Sequence, residues 1–113
     1  MRPLNSLEDR LEDGDIQITD GKITGVGSGF EDAGEVVDVT GLVIMPGMID
    51  PQVHFREPGS THKEDLHTGS RACAIGGITG FLEMPNTKPP TSTHEQMKIK
   101  KDIAANSCLV NWG

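Results

Sequence analysis

Apolar and polar residues alternate along the first part of the chain. Further on they give way to apolar runs separated by helix-like stretches. In "DIQITDGKITGV", Ile16 and Ile18 alternate with polar neighbours, Asp20-Gly21 suits a tight primed turn, and Ile23 resumes the pattern, which predicts a β-hairpin. "EVVDV" and "LVIM" predict two more short strands, parted by Thr40-Gly41. Met1 to Asp13 is polar and charged and is expected to be irregular. "GVGSGF" reads as a glycine-rich turn. Phe30 stands where the third glycine of G-x-G-x-x-G belongs, so a dinucleotide-binding loop is excluded. Residues 1–47 thus predict a small antiparallel sheet.

The texture changes at Met48. "MIDPQVHF" is an apolar strand, and "EDLHTGSRACAIGG" is helix-like with a glycine pair suited to its C-terminal end. "ITGFLEM" returns to strand. "STHEQMKIKKDIAANS" predicts a helix, with Ser92-x-x-Glu95 or Thr93-x-x-Gln96 as its capping box and Ile99 and Ile103 four apart. "CLVNW" opens a third strand. The order β-α-β-α-β requires a parallel sheet with helices outside it, so residues 48–113 predict an α/β fold. Gly113 falls where a loop is expected, as if the fold had been cut there. No internal repeat is visible.

Composition changes this picture little. The 113 residues suffice for one small domain with a real core. The net charge of −7 is uneven: residues 1–50 hold 11 acidic against 3 basic side chains, and residues 51–113 hold 6 against 7. The second part therefore does not repel a small anion, and neither part has the basic stripe that nucleic acid needs. Cys73 and Cys108 form no C-x-x-C pair and are expected to be reduced, buried and apolar, as in a cytoplasmic protein. Charged residues begin at Arg2 with no apolar signal segment after them. The longest apolar run, "GLVIMPGMI", has nine residues and a proline, too short to span a bilayer.

Candidate chemistry lies at the carboxyl ends of the predicted parallel strands, where α/β folds gather reactive groups. Side chains two apart on a strand share a face, so Gln52, His54 and Arg56 are expected to line one face at the end of the first strand. Asn86 follows Met84-Pro85 at the end of the second. Both strand ends open into long proline-containing loops, "REPGSTHK" and "PNTKPPT". Arginine offers a planar fork and asparagine an amide donor, together a natural clamp for a carboxylate. Each residue also has a bland role open to it. Arg56 can pair with Glu57 or Glu64, Asn86 can shape a turn, His54 can be an ordinary hydrogen-bonded histidine, and Gln52 can be a polar residue at the sheet's rim. His62, His67 and His94 share no face and are given no metal role; Cys73 is read as helix packing and Lys63 as a solvated charge.

Taken together, "HFREPG", "MPNTKPPT" and "PGMID" resemble the dihydroorotases of the amidohydrolase superfamily, with the likeness running from Asp15 to Gly113. "PGMID" is shared with allantoinases and hydantoinases. The resemblance implies that residues 48–113 are the first three strands of a TIM-like (β/α)8 barrel. It also implies that residues 1–47 are the N-terminal part of a small β-sandwich, an incomplete fold. It implies a zinc site of one or two ions in which His54 matches the second histidine of an H-x-H pair. Arg56 and Asn86 match the residues that hold the substrate carboxylate. Gln52 stands where the first metal histidine belongs, a departure that bears on the metal count, since an amide is a poor zinc ligand beside imidazole. A bridging acidic or carboxylated-lysine ligand, two later histidines and a catalytic Asp belong, in that family, to later strands.

The implied reaction is reversible, metal-assisted hydrolysis of dihydroorotate to carbamoyl aspartate in pyrimidine biosynthesis, with residues 1–113 inactive alone. An allantoinase or hydantoinase is the second reading. Arg56 discriminates, because those substrates lack the α-carboxylate. A third reading is a non-catalytic homologue serving as a structural partner of aspartate transcarbamoylase. The implied partners are a small anionic substrate, a second copy in a homodimer and aspartate transcarbamoylase, with no nucleic acid and no membrane.

Overall fold

The computed structural model describes residues 2–5, 10–31 and 34–113. They fall into two compact units, Met1–Pro46 and Gly47–Gly113.

The first unit contains β1 (Arg2–Asn5), β2 (Arg10–Leu11), β3 (Asp15–Thr19), β4 (Lys22–Gly27) and β5 (Val43–Ile44). β3 and β4 form the expected hairpin, with Thr19 opposite Lys22. Its turn residues Asp20 (φ 51°) and Gly21 (φ 71°) both occupy the left-handed region, as a type I′ turn requires. The pairing slips after Gln17, leaving Thr24 as an extra residue, and Thr24 Oγ1 lies 3.3 Å from Thr19 Oγ1.

Three expectations for this unit need correction. The irregular N-terminal stretch contains β1 and β2; Met1 and residues 6–9 lie outside the described residues. The sheet is not wholly antiparallel, because β1 pairs antiparallel with β2 but parallel with β5. Local pattern carries no trace of a partner about forty residues away. Finally, "EVVDV" forms no strand. Asp38 Oδ1 accepts the Thr40 N–H at 2.9 Å and the Leu42 N–H reaches Val39 O at 3.0 Å, so local turns use these backbone groups instead. Val36 and Val37 remain 79% and 69% exposed.

The second unit runs β6 (Met48–Val53), α1 (Leu66–Ile75), β7 (Ile78–Glu83), α2 (His94–Ser107), β8 (Asn111–Trp112). The strands are parallel in the order β6-β7-β8. Asp65 caps α1 by accepting the Thr68 N–H at 2.7 Å, and Gly77 (φ 80°) turns the chain out of the helix. Of the two capping boxes, Thr93 is the cap used: its Oγ1 accepts the Gln96 N–H at 3.2 Å. The buried residues of α2 are Lys100 and Ala104; of the expected pair, Ile103 packs against the core while Ile99 is exposed.

Val53, Leu66, Cys73, Phe81 and Ala104 form the core, with Phe55, Ile78, Ile103, Cys108 and Val110 packed against it. Fully burying a side chain such as Phe81 contributes about 1.5–3 kcal/mol. Both cysteines are free thiols, and burial pushes each above its ordinary pKa. Ser70, fully buried, accepts the Leu109 N–H at 3.1 Å and so ties α1 to the chain entering β8. Gly113, expected in a loop, still belongs to the ladder: its N–H reaches Phe81 O at 3.0 Å and its carbonyl accepts the Glu83 N–H at 2.9 Å. No helix among the described residues is long and apolar enough to cross a membrane.

Candidate functional site

The end of β6 is shaped by a proline. Pro51 has no N–H to give the ladder, and Asp50 Oδ1 accepts the next one, from Gln52, at 3.0 Å. The register with β7 shifts between Asp50 and Val53, so a bulge sits at Pro51-Gln52. Bulges re-aim the side chains beside them. Beyond it, Val53 and Phe55 enter the core while Gln52 and His54 stay exposed, the alternation expected of neighbours on one face.

That alternation does not reach Arg56. The strand ends at Val53, and Arg56 has a left-handed backbone (φ 67°). The expected single row of Gln52, His54 and Arg56 is therefore corrected to a pair followed by a half-buried arginine on a left-handed turn. A non-glycine residue held at such φ is uncommon, and such conformations cluster at functional sites. The Arg56 carbonyl accepts the Ser60 N–H at 3.0 Å, which closes the turn.

Asn86 meets His54 across the two loops: Asn86 Oδ1 lies 2.9 Å from His54 Nδ1. A carbonyl oxygen only accepts, so Nδ1 carries a proton, and in the neutral ring Nε2 then presents its lone pair. The Asn86 Nδ2 hydrogens are left for another acceptor. The turn that carries Asn86 is held by other residues. Thr87 Oγ1 donates to Pro89 O at 2.8 Å and lies 2.9 Å from Thr91 Oγ1. The two loops also clasp each other, with the Lys88 N–H on Pro58 O at 3.0 Å. Gly59 (φ 95°) is required there, since a methyl group would strike Lys88 O.

Arg56 forms no ion pair among the described residues. The carboxylates offered as its bland partners are used elsewhere. Glu57 Oε2 accepts the Leu66 N–H at 2.9 Å, and Glu64 Oε1 accepts the Asp65 N–H at 3.1 Å and the Thr68 hydroxyl. His67 Nδ1 lies 3.1 Å from Ser107 O, a structural contact. Among the described residues no three of His, Cys, Asp and Glu gather as a metal cluster.

Two charged residues escaped the sequence reading. Glu83 accepts the Phe55 N–H at 3.0 Å through Oε2, and Oε1 lies 3.3 Å from Lys100 Nζ. The available signal was a charge closing an apolar strand and a lysine four residues before Ala104 on a helix. An apolar cleft beside this pair is lined by Leu66, Phe81, Pro85, Met97 and Trp112. None of Gln52, His54, Arg56 or Asn86 faces it, so the chemistry-bearing groups lie elsewhere.

Residues 41–112 match a family model described as Dihydro-orotase-like. Over 92 residues the chain is 48% identical to a dihydroorotase of Streptococcus pneumoniae, covering 80% of this chain and 22% of that protein. A dihydroorotase of Methanothermobacter thermautotrophicus is 41% identical, covering 96% of this chain and 26% of that one. An allantoinase of Salmonella choleraesuis is 42% identical over 93% of this chain and 23% of its own length. The L-hydantoinase (dihydropyrimidinase) structure from Arthrobacter aurescens superposes with a TM-score of 0.85 at 31% identity, over 99% of this chain and 25% of that one. The chain thus spans about a quarter of the length of these relatives.

Proposed function

The chain belongs to the dihydro-orotase-like family, and from that premise we propose that it contributes the substrate-orienting end of a dihydroorotase. The reaction is the reversible hydrolysis of dihydroorotate to N-carbamoyl aspartate: water adds at the ring carbonyl, the C–N bond breaks, and the ring nitrogen takes a proton. The observation that carries this reading is the His54 Nδ1 to Asn86 Oδ1 contact of 2.9 Å. One amide oxygen sets the tautomer of the histidine, and the amide nitrogen beside it remains free to donate to a carboxylate.

Arg56 would supply a charged fork to that carboxylate, with Asn86 Nδ2 as the second donor. Hydrogen bonds to charged groups contribute about 1.5–3 kcal/mol each. Their work is orientation, and the bond-breaking groups belong to other segments. His54 fits a zinc ligand, because its Nδ1–H is already occupied and its Nε2 lone pair is exposed. Gln52, on the same face, offers an amide oxygen or a hydrogen bond to a neighbouring ligand. When bound, zinc supplies Lewis-acid activation of the amide carbonyl and of the attacking water.

The same proposal covers the architecture: three strands of a (β/α)8 barrel in residues 48–113, preceded by part of a β-sandwich in residues 1–47. It also covers a cytoplasmic homodimer that can engage aspartate transcarbamoylase, and residues 1–113 alone are expected to hydrolyse nothing. The allantoinase and hydantoinase relatives keep a second reading in view, with the same hydrolysis applied to a ring lacking the carboxylate. Turnover of dihydroorotate, allantoin and hydantoin by the full-length protein separates them. Preference for dihydroorotate supports the first reading, and preference for either other ring replaces it. Elemental analysis addresses the metal: closer to one zinc than two is expected, rising in Gln52→His. Absence of zinc from both forms would instead favour the non-catalytic partner.

A further inference from the structure

Phe55, between His54 and Arg56, is anchored twice. Its ring packs on Phe81, centroids 4.9 Å apart at 73°, and its N–H is accepted by Glu83 Oε2 at 3.0 Å. Glu83 is in turn paired with Lys100 at 3.3 Å, and the two side chains are 4% and 9% exposed. Lys100 also donates to the Met84 carbonyl at 3.0 Å, two residues before Asn86. A buried ion pair is weak evidence for stability, since apolar residues of similar volume often do as well. Its placement is more telling. One carboxylate and one ammonium reach the backbone where both site loops leave the sheet.

We propose that Glu83, held by Lys100, is a positioning residue for the hydrolysis. By fixing the Phe55 N–H it sets how far apart His54 and the left-handed Arg56 stand. A strained backbone persists only where its surroundings over-determine it. Here Glu83 holds the residue before Arg56, and the Ser60 N–H holds the Arg56 carbonyl at 3.0 Å. This inference rests on the cyclic-amide reading above.

Two double variants of the full-length protein test it. Glu83→Gln with Lys100→Met removes both charges but keeps an acceptor for Phe55. Glu83→Leu with Lys100→Met removes the acceptor as well and fills the same space. In the Leu/Met protein KM for dihydroorotate should rise about tenfold, while the Gln/Met protein stays within about threefold of the parent. Amide exchange at Phe55 should quicken by about tenfold in the Leu/Met protein alone. Equal KM values in the two doubles, a fall in kcat at unchanged KM, or unchanged exchange at Phe55 each overturns the proposal. If the Leu/Met protein does not fold, Glu83→Asp carries the same expectation, because its shorter arm cannot reach both partners. If the parent ignores dihydroorotate but opens allantoin or hydantoin, the substrate reading falls and the doubles are compared on that ring. If it opens none, zinc affinity decides together with exchange: about tenfold weaker binding in Leu/Met than in Gln/Met supports positioning, and equal affinity overturns it.

Discussion

Residues 1–46 and 47–113 put similar apolar residues to different uses. In the first unit no described side chain is buried: Ile18, Ile23 and Val26 of the hairpin are 65%, 66% and 60% exposed. In the second, the core of Val53, Leu66, Cys73, Phe81 and Ala104 closes between strands and helices. The hairpin is defined by its turn and ladder, whereas the second unit is defined by burial. The candidate site follows the same division at smaller scale. His54 and Asn86 are exposed, but Phe55 beside the one and Glu83 just before the other are held from within. Exposed chemistry is made definite by buried supports.

The largest test of that contrast compares one aromatic with one aliphatic side chain. Phe81→Ala should destabilise the full-length protein by about 3–5 kcal/mol, since it empties the centre of the core. Ile18→Ala should cost about 0.5 kcal/mol or less, as expected of an exposed position. Denaturant titration of both proteins reads the difference. Equal losses would mean that the hairpin's apolar side chains are covered in the full-length protein.

Next in size is Arg56→Ala. On the proposed carboxylate clamp, it should lower kcat/KM for dihydroorotate roughly ten- to 150-fold, the equivalent of about 1.5–3 kcal/mol for one charged hydrogen bond. Little change in stability should accompany it, because Arg56 makes no ion pair among the described residues. Steady-state kinetics together with a melting curve separate the two effects. A melting loss as large as that of Phe81→Ala would show the arginine to be a structural support.

Smaller again is Gly21→Ala in the hairpin turn. At φ 71° an L side chain is strained, and the expected cost is about 1 kcal/mol, with no effect on substrate binding. This position also shows what the sequence made legible. The Asp20-Gly21 turn, the glycine pair that closes α1, the cap at Thr93 and the βαβ order all rest on neighbours a few residues apart. The strand at Arg2–Asn5 was missed because its parallel partner is Val43–Ile44. The link from Glu83 to Phe55 and the contact between His54 and Asn86 were missed for the same reason, as they join residues 28 and 32 apart. Pro51 inside a strand was a warning of the bulge that pattern counting passed over. Arg56, Asn86 and His54 stood out in the sequence as candidates, but the left-handed turn that separates Arg56 from the strand was not legible.

The smallest expected effect puts one carboxylate from each unit on the same scale. Asp38 in the first unit has its pKa lowered chiefly by the Thr40 hydroxyl, and Asp65 in the second chiefly by the Thr68 N–H. Both serve as hydrogen-bond acceptors for the backbone, at a turn and at a helix cap respectively. A carboxyl whose folded pKa lies below its unfolded value adds stability above the unfolded value, 3.8 here, and loses it as pH falls through the folded one. Both contributions are therefore complete at neutral pH and fade only under acid. Asp65→Asn and Asp38→Asn should each flatten the acid limb of the stability curve, because an amide keeps the acceptor but does not titrate. The contrast between the units predicts where the change is seen. Loss of the Asp65 contribution should register as earlier exchange of the first-turn amides of α1, next to the buried Leu66. Loss of the Asp38 contribution should stay within residues 38–42. Hydrogen exchange across an acid series checks this, and an Asp38→Asn effect spreading into β6 or α1 would show that the two units unfold as one.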